Sequence, residues 1–132
     1  MKKIISVMFA TTMLFACCKK EKLNGNNYIN KSNDNVQISL SFAEDEDRLF
    51  GKVVNNYFTT YKIEDKALNF GGIASTMMMG PQNAMEVEQK YFGFLNNNPV
   101  EYEIKGNQLI LKNKNGDTMI FDKVEEIPET EN

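Results

Sequence analysis

The sequence predicts a β-rich α+β fold, in which an antiparallel, partly open barrel-like sheet packs on one helix. Three observations predict it. Apolar and polar residues alternate over several short segments, turn-forming residues separate those segments, and a single stretch after Pro81 has apolar residues at helical spacing. With an N-terminal leader set aside, 116 of the 132 residues remain, which is enough for one domain and too few for two.

The first 17 residues have the pattern of an export signal that ends in a lipid-attachment cysteine. Lys2 and Lys3 precede an apolar run over residues 4–15, which is too short to span about 30 Å of hydrocarbon as a helix. The sequence Leu14-Phe15-Ala16-Cys17 resembles a bacterial lipobox. This resemblance implies cleavage before Cys17 and acylation of that cysteine.

Lipid attachment predicts where the protein is found and what it contacts. We predict a signal peptide over residues 1–16 and a lipidated tether over residues 17–22, with membrane lipid as a partner through Cys17. The expected location is the bacterial cell envelope, outside the cytoplasm, and the outer membrane if the organism is Gram-negative. The alternative is an ordinary secretory signal that is cleaved nearby and leaves the cysteines free.

The net charge limits which molecules the protein can bind, and the cysteine count limits how the domain can be stabilised. Removing residues 1–16, which carry two lysines and no acid, takes the formal charge from −3 to −5 and argues against nucleic acid as a partner. Lys19, Lys20 and Lys22 lie beside the lipid, where they either bind an anionic leaflet or form a solvated linker. Once Cys17 carries lipid, no second cysteine remains for Cys18, so packing must stabilise the domain.

The predicted domain covers residues 23–124 and contains its clearest strand near the start. Residues 36–42 alternate apolar with polar side chains, which is the period of a half-buried strand. A charged loop over residues 44–48 follows. An apolar segment over residues 49–54 then predicts a second strand, in which Gly51 permits a bend or a bulge.

A hairpin is predicted next. A turn at Asn55-Asn56 leads into residues 57–63, which are rich in aromatic and β-branched side chains. Residues 67–73 form the second strand, and the turn between the two strands is placed at residues 64–66.

The single predicted helix follows Pro81. Asn83 is expected to cap its N-terminus together with Glu86, three residues further on. The apolar residues at helical spacing are Ala84, Val87, Tyr91, Phe94 and Leu95. Asn96-Asn97-Asn98-Pro99 ends the helix, because asparagine tolerates left-handed backbone and proline cannot continue a helix.

Three strands complete the predicted domain. They cover residues 100–105, 108–112 and 117–124. The first two are joined by a turn at Gly106-Asn107, and the last two by Asn115-Gly116, which is a strong hairpin signal. The acidic tail over residues 125–132 is predicted to be disordered.

Several residues follow one another along this domain in a characteristic order. They are Gly51, Asn55-Asn56-Tyr57, Tyr61, Ile73-Ala74-Ser75-Thr76, Met78, Met85-Glu86-Val87-Glu88-Gln89, Leu95, Tyr102, Leu109-Ile110-Leu111 and Phe121. In this order they resemble the META domain family, to which HslJ-like bacterial lipoproteins belong. The resemblance implies a barrel-like antiparallel structure on one helix, an envelope location and a link to stress tolerance, and it carries over no catalytic mechanism.

The same resemblance marks five motif residues for which we expect structural roles. They are Asn55, Tyr61, Thr76, Met78 and Glu88. Many family members carry cysteines where this chain has Val54 and Gly80, and a glycine in place of Thr59. If that cysteine pair is bonded in those members, noncovalent contacts must replace the bond here, and Val54 in the core is the expected replacement.

The sequence contains no catalytic constellation, and the protein is predicted not to be an enzyme. It has no histidine, which removes the commonest general base, the Ser-His triad and the ordinary zinc sites. The Thr76 hydroxyl has no base at a useful spacing and is expected to be buried and bonded to nearby backbone. Glu86 and Glu88 point to different sides of the helix. Glu86 is expected to cap the helix and Glu88 to fix it on the sheet through a hydrogen bond.

The methionines are the sharper binding candidates. Thioethers are soft ligands for Cu(I), so Met77 and Met79 are candidate copper ligands, although filling of the core by the run Met77–Met79 is favoured. Residues 44–47 supply oxygen atoms without the spacing of a calcium loop, which favours a solvated loop. The aromatic side chains are enough to fill a small barrel, so neither a ligand cavity nor a cofactor is expected.

These observations predict a non-enzymatic, membrane-anchored lipoprotein of the cell envelope. Its domain is expected to act as a binding or stress-protective module, with an envelope protein as the class of partner. Two alternatives stay open. One is an inhibitor or sequestering module for a cationic protein such as lysozyme, which size, tether and acidic surface favour. The other is Cu(I) binding through the methionines.

Overall fold

The computed structural model describes residues 22–33 and 35–129, so Cys17 and the predicted signal peptide lie outside the described residues. Nine strands and one helix, here called α1, are found within this part of the chain. They are β1 (Asn27–Asn33), β2 (Val36–Phe42), β3 (Arg48–Lys52), β4 (Asn56–Glu64), β5 (Ala67–Phe70), β6 (Ala74–Ser75), α1 (Gln82–Asn96), β7 (Val100–Lys105), β8 (Gln108–Lys112) and β9 (Thr118–Val124).

Eight of these strands form a closed antiparallel barrel. Around the ring the order is β3, β2, β1, β9, β8, β7, β5 and β4, and β3 pairs with β4 to close it. The short strand β6 pairs with β4 at Tyr57 and Phe58. The predicted antiparallel barrel with one helix is confirmed. The barrel is closed rather than partly open, because β3 pairs with β4 along its whole length from Arg48 to Lys52.

Strand β1 is absent from the sequence-based prediction. Its sequence, NYINKSN, contains three asparagines and one lysine, two residue types that are depleted in strands. Pairing with β2 on one side and β9 on the other supplies its backbone partners. Tyr28 is buried, and the Asn30 Nδ2 donates a hydrogen bond of 2.7 Å to the Ile120 carbonyl. Tertiary pairing therefore overrides local propensity here.

Strand β2 is buried on both faces, whereas its alternating pattern predicts a half-buried strand. Its polar side chains are covered by other segments to which they are bonded. Ser41 Oγ donates to Asn27 Oδ1, and Gln37 Nε2 donates to the Pro128 carbonyl. Residues 125–129 therefore lie along this face, although the sequence predicts a disordered tail from Glu125; residues 130–132 lie outside the described residues.

Gly51 lets the backbones of β2 and β3 approach closely, and the predicted bulge is absent from the pairing of β3 with β4. The pairing of β3 with β4 runs through Gly51 and Tyr57 without a shift of register. A Cβ atom placed on Gly51 would lie only 2.0 Å from the Ser39 carbonyl oxygen on β2. Glycine is needed at this position because any side chain would collide with the neighbouring backbone.

The predicted hairpins are present. In the β4–β5 turn both Asp65 and Lys66 adopt left-handed backbone, with φ of 51° and 65°. This pair of conformations matches the right-handed twist of the flanking strands. β5 ends at Phe70, so residues 71–73, which the sequence assigns to the strand, form a loop that leads to β6.

Helix α1 begins and ends close to its predicted bounds, but its predicted cap is wrong. Pro81 occupies the N-cap position, no side chain caps the helix, and Asn83 lies inside its first turn. The Glu86 carboxyl accepts a hydrogen bond from Gln82 Nε2 instead of capping. The buried residues of the helix are Ala84, Val87, Glu88, Tyr91, Phe94 and Leu95. This set contains every apolar residue of the predicted face, together with Glu88.

The core of the domain is filled by its own side chains. The largest fully buried ones include four aromatic residues, Tyr28, Tyr57, Tyr91 and Phe121. Tyr91 brings the helix into this core, since its ring contacts those of Tyr57 on β4 and Phe121 on β9. Within residues 22–129, apart from position 34, no helix has the length and apolar character needed to cross a bilayer.

Candidate interaction surface

A buried carboxyl group fastens the helix to the turn between β3 and β4. Glu88 lies on the apolar face of α1 and is only 7% exposed. Its Oε2 accepts hydrogen bonds from the backbone N–H groups of Val54, at 2.9 Å, and Asn55, at 2.7 Å. Its Oε1 accepts one from Asn55 Nδ2, at 2.9 Å. The prediction that Glu88 fixes the helix on the sheet through a hydrogen bond is confirmed.

The hydrogen bonds to Glu88 explain why a carboxyl group can be buried on the apolar face of α1. A buried polar group without partners costs free energy, whereas Glu88 has three donors on two oxygens. Both oxygens act only as acceptors, which is the bonding pattern of an ionised carboxylate. Hydrogen bonds to such a group are roughly twice as strong as those between neutral groups.

Asn55 transmits this contact to the segment before the helix. Its Oδ1 accepts hydrogen bonds from Thr76 Oγ1, at 3.0 Å, and from the Met78 N–H. Its Nδ2 also donates to the Met78 carbonyl, at 3.3 Å. We call Asn55, Thr76 and Glu88 the polar clamp. One asparagine side chain thus holds the Met78 backbone at both its donor and its acceptor.

Thr76 differs from its prediction in burial but not in bonding. The residue is exposed, not buried. Its hydroxyl nevertheless has two partners, because it donates to Asn55 and accepts from the Asn56 N–H at 3.2 Å. A second bond, from the Thr76 N–H to the Asn56 carbonyl, fixes the same segment against β4. Thr76 is therefore a structural member of the polar clamp.

The clamp carries an exposed run of methionines, Met77–Met79, which we call the methionine loop. Met77, Met78 and Met79 are 91%, 53% and 87% exposed. The prediction that they fill the core is wrong, because the polar clamp holds the loop backbone at the surface. Met85 and Met119 pack against the core instead.

Val54 and Gly80 lie side by side at the base of this loop. A Cβ atom placed on Gly80 would lie 2.8 Å from Val54 Cγ1 and 3.7 Å from Val54 Cβ. Val54 is buried, so the expected packing role of Val54 is confirmed. The Gly80 N–H also donates to the Met85 Sδ at 3.4 Å, which ties the end of the loop to the helix.

A second apolar surface lies on the outside of the barrel. Phe50 and Phe58 are cross-strand partners on β3 and β4, and they are 43% and 46% exposed. The Arg48 guanidinium lies 4.8 Å from the centre of the Phe58 ring. A shallow groove of about 590 Å³ runs past both phenylalanines to Ser75 and Thr76. Thr76 therefore belongs both to this groove and to the polar clamp.

The sequence counts Phe50 and Phe58 among the aromatic side chains that fill the barrel, and this prediction is wrong for both, although a signal for their exposure existed. On β4 the residues Tyr57, Thr59 and Tyr61 are buried, so Phe58 between them must point outward. Phe50 likewise follows the buried Leu49. A large apolar side chain on the outward face of a strand is the pattern that could have marked this surface.

A pair of buried tyrosines forms another contact between helix and barrel. Tyr57 Oη donates to the Ser39 carbonyl at 2.8 Å. Because a phenol has one proton, Tyr91 must donate in the hydrogen bond that joins the two hydroxyl groups. Burial, followed by the neighbouring Tyr91, raises the pKa of Tyr57, and burial raises the pKa of Tyr91 as well. We call these residues the tyrosine pair.

Tyr61, the remaining motif residue, lies in the core. Its ring meets Phe42 edge to face at 5.6 Å. Burial is the main cause that raises the pKa of Tyr61, and the charge of Asp47 adds to it. A structural role fits this position.

Charged residues are spread over the surface. The loop over residues 44–47 is exposed at the end of the β2–β3 hairpin, and Glu46 pairs with Arg48 at 3.4 Å. In the part of the chain that the structure describes, no group of three or more His, Cys, Asp or Glu side chains is arranged to hold a metal ion. The predicted lipid-attachment residue, Cys17, lies outside the described residues.

Comparison with known proteins identifies the domain. The family model described as META domain matches residues 19–126. An NMR structure of a protein from Burkholderia xenovorans has a TM-score of 0.63 and 21% identity, over 89% of this chain and 88% of that one. A second NMR structure has a TM-score of 0.61 and 18% identity, over 76% and 90%. No curated protein sequence matches significantly. At these identities the two structures show a shared fold alone.

Proposed function

The chain belongs to the META domain family, and from this premise we propose that it is a non-enzymatic, membrane-tethered lipoprotein of the cell envelope. Its HslJ-like META domain is a binding or stress-protective module that contacts an envelope protein. The contact surface consists of the methionine loop and the neighbouring groove with Phe50 and Phe58. Lipid on Cys17 keeps this surface close to the membrane.

The observation that carries the proposal is the exposure of Met77 and Met79 on a loop whose backbone is fixed. An apolar side chain that is exposed lacks the favourable free energy of burial, roughly 25 cal/mol per Å², and gains it when a partner covers the side chain. Methionine is adaptable and polarisable, and it is common at surfaces that bind partners. The polar clamp orders the backbone of the loop in advance, so less conformational entropy is lost when a partner binds.

The groove supports the same interpretation because it widens the apolar surface. Phe50 and Phe58 add two aromatic side chains of the kind that anchor protein interfaces. Arg48 over Phe58 supplies a polar rim.

Site-specific photo-crosslinking in intact cells tests this proposal. A photoreactive residue replaces Ser75, which is exposed and lies in the groove next to the methionine loop. We expect a discrete protein adduct from position 75. A photoreactive residue at Glu103, exposed on β7, serves as the reference position and should give no such adduct. Equal adducts from both positions would contradict a specific surface.

A matched pair of variants identifies the side chains involved. With the photoreactive residue at position 75, replacing Met77 and Met79 by serine should remove most of the adduct, because the apolar contact is lost. Ile63→Ser also removes an exposed apolar side chain, but on β4 away from the loop, and should leave the adduct unchanged. An adduct that survives the methionine change places the contact elsewhere.

The lipid anchor has its own test. Cys17→Ala removes the acylated side chain and should move the protein from the detergent phase to the aqueous phase in detergent partitioning. Cys18→Ala is the matched control and should leave the partitioning unchanged. Persistence of Cys17→Ala in the detergent phase would mean that a different anchor holds the chain.

A second candidate function is the inhibition or sequestration of a cationic protein such as lysozyme. The observation in its favour is the exposed acidic loop over residues 44–47. Complementary charge accelerates the encounter with a cationic partner. If lysozyme runs at full speed under saturating protein, this candidate is rejected. If it is inhibited, replacing the four acids by their amides should restore activity.

A third candidate is Cu(I) binding, which the exposure of Met77 and Met79 favours over a role in the core. Titration with copper under reducing conditions tests it. Stoichiometric binding that is lost in Met77→Leu with Met79→Leu would support a metal site. No binding, or binding that both leucine changes leave intact, removes this candidate.

A further inference from the structure

We propose that the methionine loop is an oxidation site, at which Met77 and Met79 take an oxygen atom from a hydroperoxide while the domain stays folded. The modification goes beyond the binding function proposed above. It depends on two structural features, which are the accessibility of the sulfur-bearing side chains and the independence of the loop backbone from those side chains.

Accessibility separates the methionine loop from the other methionines in the described residues, and within the loop Met78, at 53% exposed, is less accessible than its two neighbours. Met77 and Met79 are 91% and 87% exposed, so an oxidant can approach them from solvent. Met85 is partly buried, and its sulfur accepts a hydrogen bond from the Gly80 N–H. Met119 also packs against the core. Oxidation of methionine follows exposure, so Met77 and Met79 should react first.

The reaction is balanced with a hydroperoxide as the only co-reactant. A lone pair of the methionine sulfur attacks the outer oxygen of hydrogen peroxide, the O–O bond breaks, and an S–O bond forms. The hydroxide that leaves takes up the proton of the transferred oxygen and departs as water. The sulfur loses two electrons and becomes a sulfoxide, and the peroxide oxygen is reduced. Methionine sulfoxide reductases reverse this modification.

The polar clamp explains why the fold should tolerate this chemistry. Oxidation makes a methionine side chain polar, which disrupts a core but not a solvated surface. The loop is fixed through the backbone of Met78 by Asn55, and none of these bonds involves a methionine sulfur. The side chains of Met77 and Met79 can therefore change polarity without releasing the loop.

The consequence for binding rests on the proposed function. An apolar surface built on thioethers becomes polar when two of them are oxidised. Contact through the methionine loop should then weaken, and reduction of the sulfoxides should restore it. Oxidation of this loop would thus switch the surface without unfolding the protein.

The purified full chain treated with hydrogen peroxide tests the modification. Met77, Met78, Met79 and Met85 lie on one tryptic peptide between Lys66 and Lys90, so fragment ions compare them within a single molecule. We expect sulfoxide at Met77 and Met79 to form several-fold faster than at Met85 or Met119. Thermal unfolding followed by circular dichroism should give the same midpoint before and after this first phase.

Two results would overturn the proposal. One is oxidation of Met85 or Met119 as fast as that of Met77. The other is a lower unfolding midpoint once only Met77 and Met79 have reacted. Met77→Leu with Met79→Leu should remove the fast phase, and Met119→Leu, the matched control, should leave it in place.

The crosslinking arm is independent of these results. If the sulfoxides form as described but the adduct from position 75 persists, the oxidation site stands and the binding surface proposed above is wrong. If the fast phase is absent while the unmodified loop still gives the adduct, the oxidation proposal alone fails.

Discussion

Two of the contacts that join the helix to the barrel differ in chemistry and in what they hold. The polar clamp uses the Glu88 carboxyl group and three donors from the turn after β3. The tyrosine pair, one helical turn further along, uses two phenols, one of which donates to the Ser39 carbonyl. The clamp fixes backbone near the surface, while the pair fills the core.

The difference shows that stability and surface geometry depend on different contacts in this small domain. The tyrosine pair brings two rings that bury large apolar areas and need only one backbone acceptor. The clamp buries little apolar area, but through Asn55 it positions the methionine loop. We infer that the tyrosine pair mainly determines the stability of the domain, and that the clamp also determines the geometry of its exposed surface.

The strongest test of the comparison removes the clamp. Glu88→Ala leaves the N–H groups of Val54 and Asn55 and the Asn55 amide without their buried acceptor. Each buried donor without a partner costs about 1–3 kcal/mol, so we expect a loss of about 4 kcal/mol in the free energy of unfolding. Urea denaturation followed by circular dichroism measures it.

Glu88→Gln is the matched variant. The side-chain oxygen of glutamine can still accept hydrogen bonds from the two backbone N–H groups. Its NH₂ group, however, would face the NH₂ group of Asn55, and two donors cannot bond to each other. We expect a loss of about half that of Glu88→Ala. Equal losses for the two variants would show that the charge, rather than the number of acceptors, carries the contact.

The second test disturbs the tyrosine pair through β3, where Gly51 is the cross-strand partner of Tyr57. In Gly51→Ala the new Cβ would lie 2.0 Å from the Ser39 carbonyl oxygen and 2.8 Å from Tyr57 Oη. The bond between these two groups must then be displaced, and we expect a loss of about 3 kcal/mol in the free energy of unfolding.

Gly72→Ala is the control for this change, since nothing lies within 4 Å of a Cβ at that position. It should alter the free energy of unfolding by less than about 1 kcal/mol. If Gly51→Ala is no more destabilising than this control, β2 and β3 are not held as closely as the structure indicates.

The two contacts were not equally open to prediction. Glu88 stands out because a charged residue at an apolar helical position requires partners, and the family resemblance added Asn55, Thr76 and Met78 to the same set. Tyr57 and Tyr91 each fit an apolar pattern, and no local rule joins residues that are 34 positions apart. The clamp was therefore predictable in part, and the tyrosine pair was not.

A similar contrast holds for the strands and the methionines. Alternation predicted β2, and Asn115-Gly116 predicted the β8–β9 hairpin, because both signals are local. Strand β1 has a polar sequence and exists through its pairing with β2 and β9, which sequence periodicity does not report. The adaptability of methionine favours a core role for Met77–Met79, whereas the bonds of the Met78 backbone to Asn55 place the loop outside.

A disulfide at the base of the methionine loop would hold the loop covalently, as the polar clamp does through hydrogen bonds. In Val54→Cys with Gly80→Cys the two Cβ atoms would be about 3.7 Å apart, which suits a disulfide. Closing this loop should stabilise the oxidised protein by about 2–3 kcal/mol relative to its reduced form. Urea denaturation with and without reductant measures the difference.

The disulfide also tells whether the clamp acts through the loop. If it does, Glu88→Ala should cost less in the oxidised double-cysteine protein than in the original chain, because the loop is already held. Additive effects would mean that the clamp and the loop base are independent, as expected for sites that share no partner.

The smallest expected effect at neutral pH concerns the hydroxyl group of Tyr91 in the tyrosine pair. Tyr91→Phe keeps the ring but removes the proton donated to Tyr57, so at neutral pH we expect a loss of about 1 kcal/mol in the free energy of unfolding. The larger signature is in the pH dependence. The pKa of Tyr91 is raised in the folded protein, so the unfolded chain loses this proton first as the pH rises beyond about 10. Stability present below that pH is therefore lost above it, by up to about 1.4 kcal/mol per pH unit for each such tyrosine.

Tyr91→Phe should make this alkaline decline shallower, since one of the three tyrosines with a raised pKa, Tyr57, Tyr61 and Tyr91, no longer titrates. Phe92→Leu is the control, because it changes a neighbouring ring that contacts both Tyr57 and Tyr91 without removing an ionisable group. It should lower stability at every pH and leave the slope unchanged. Urea denaturation from neutral pH to beyond the ordinary tyrosine pKa separates the two variants. If the slope is the same in both, the buried phenols do not determine the alkaline stability, and the contrast between a charged clamp and a neutral pair loses its energetic basis.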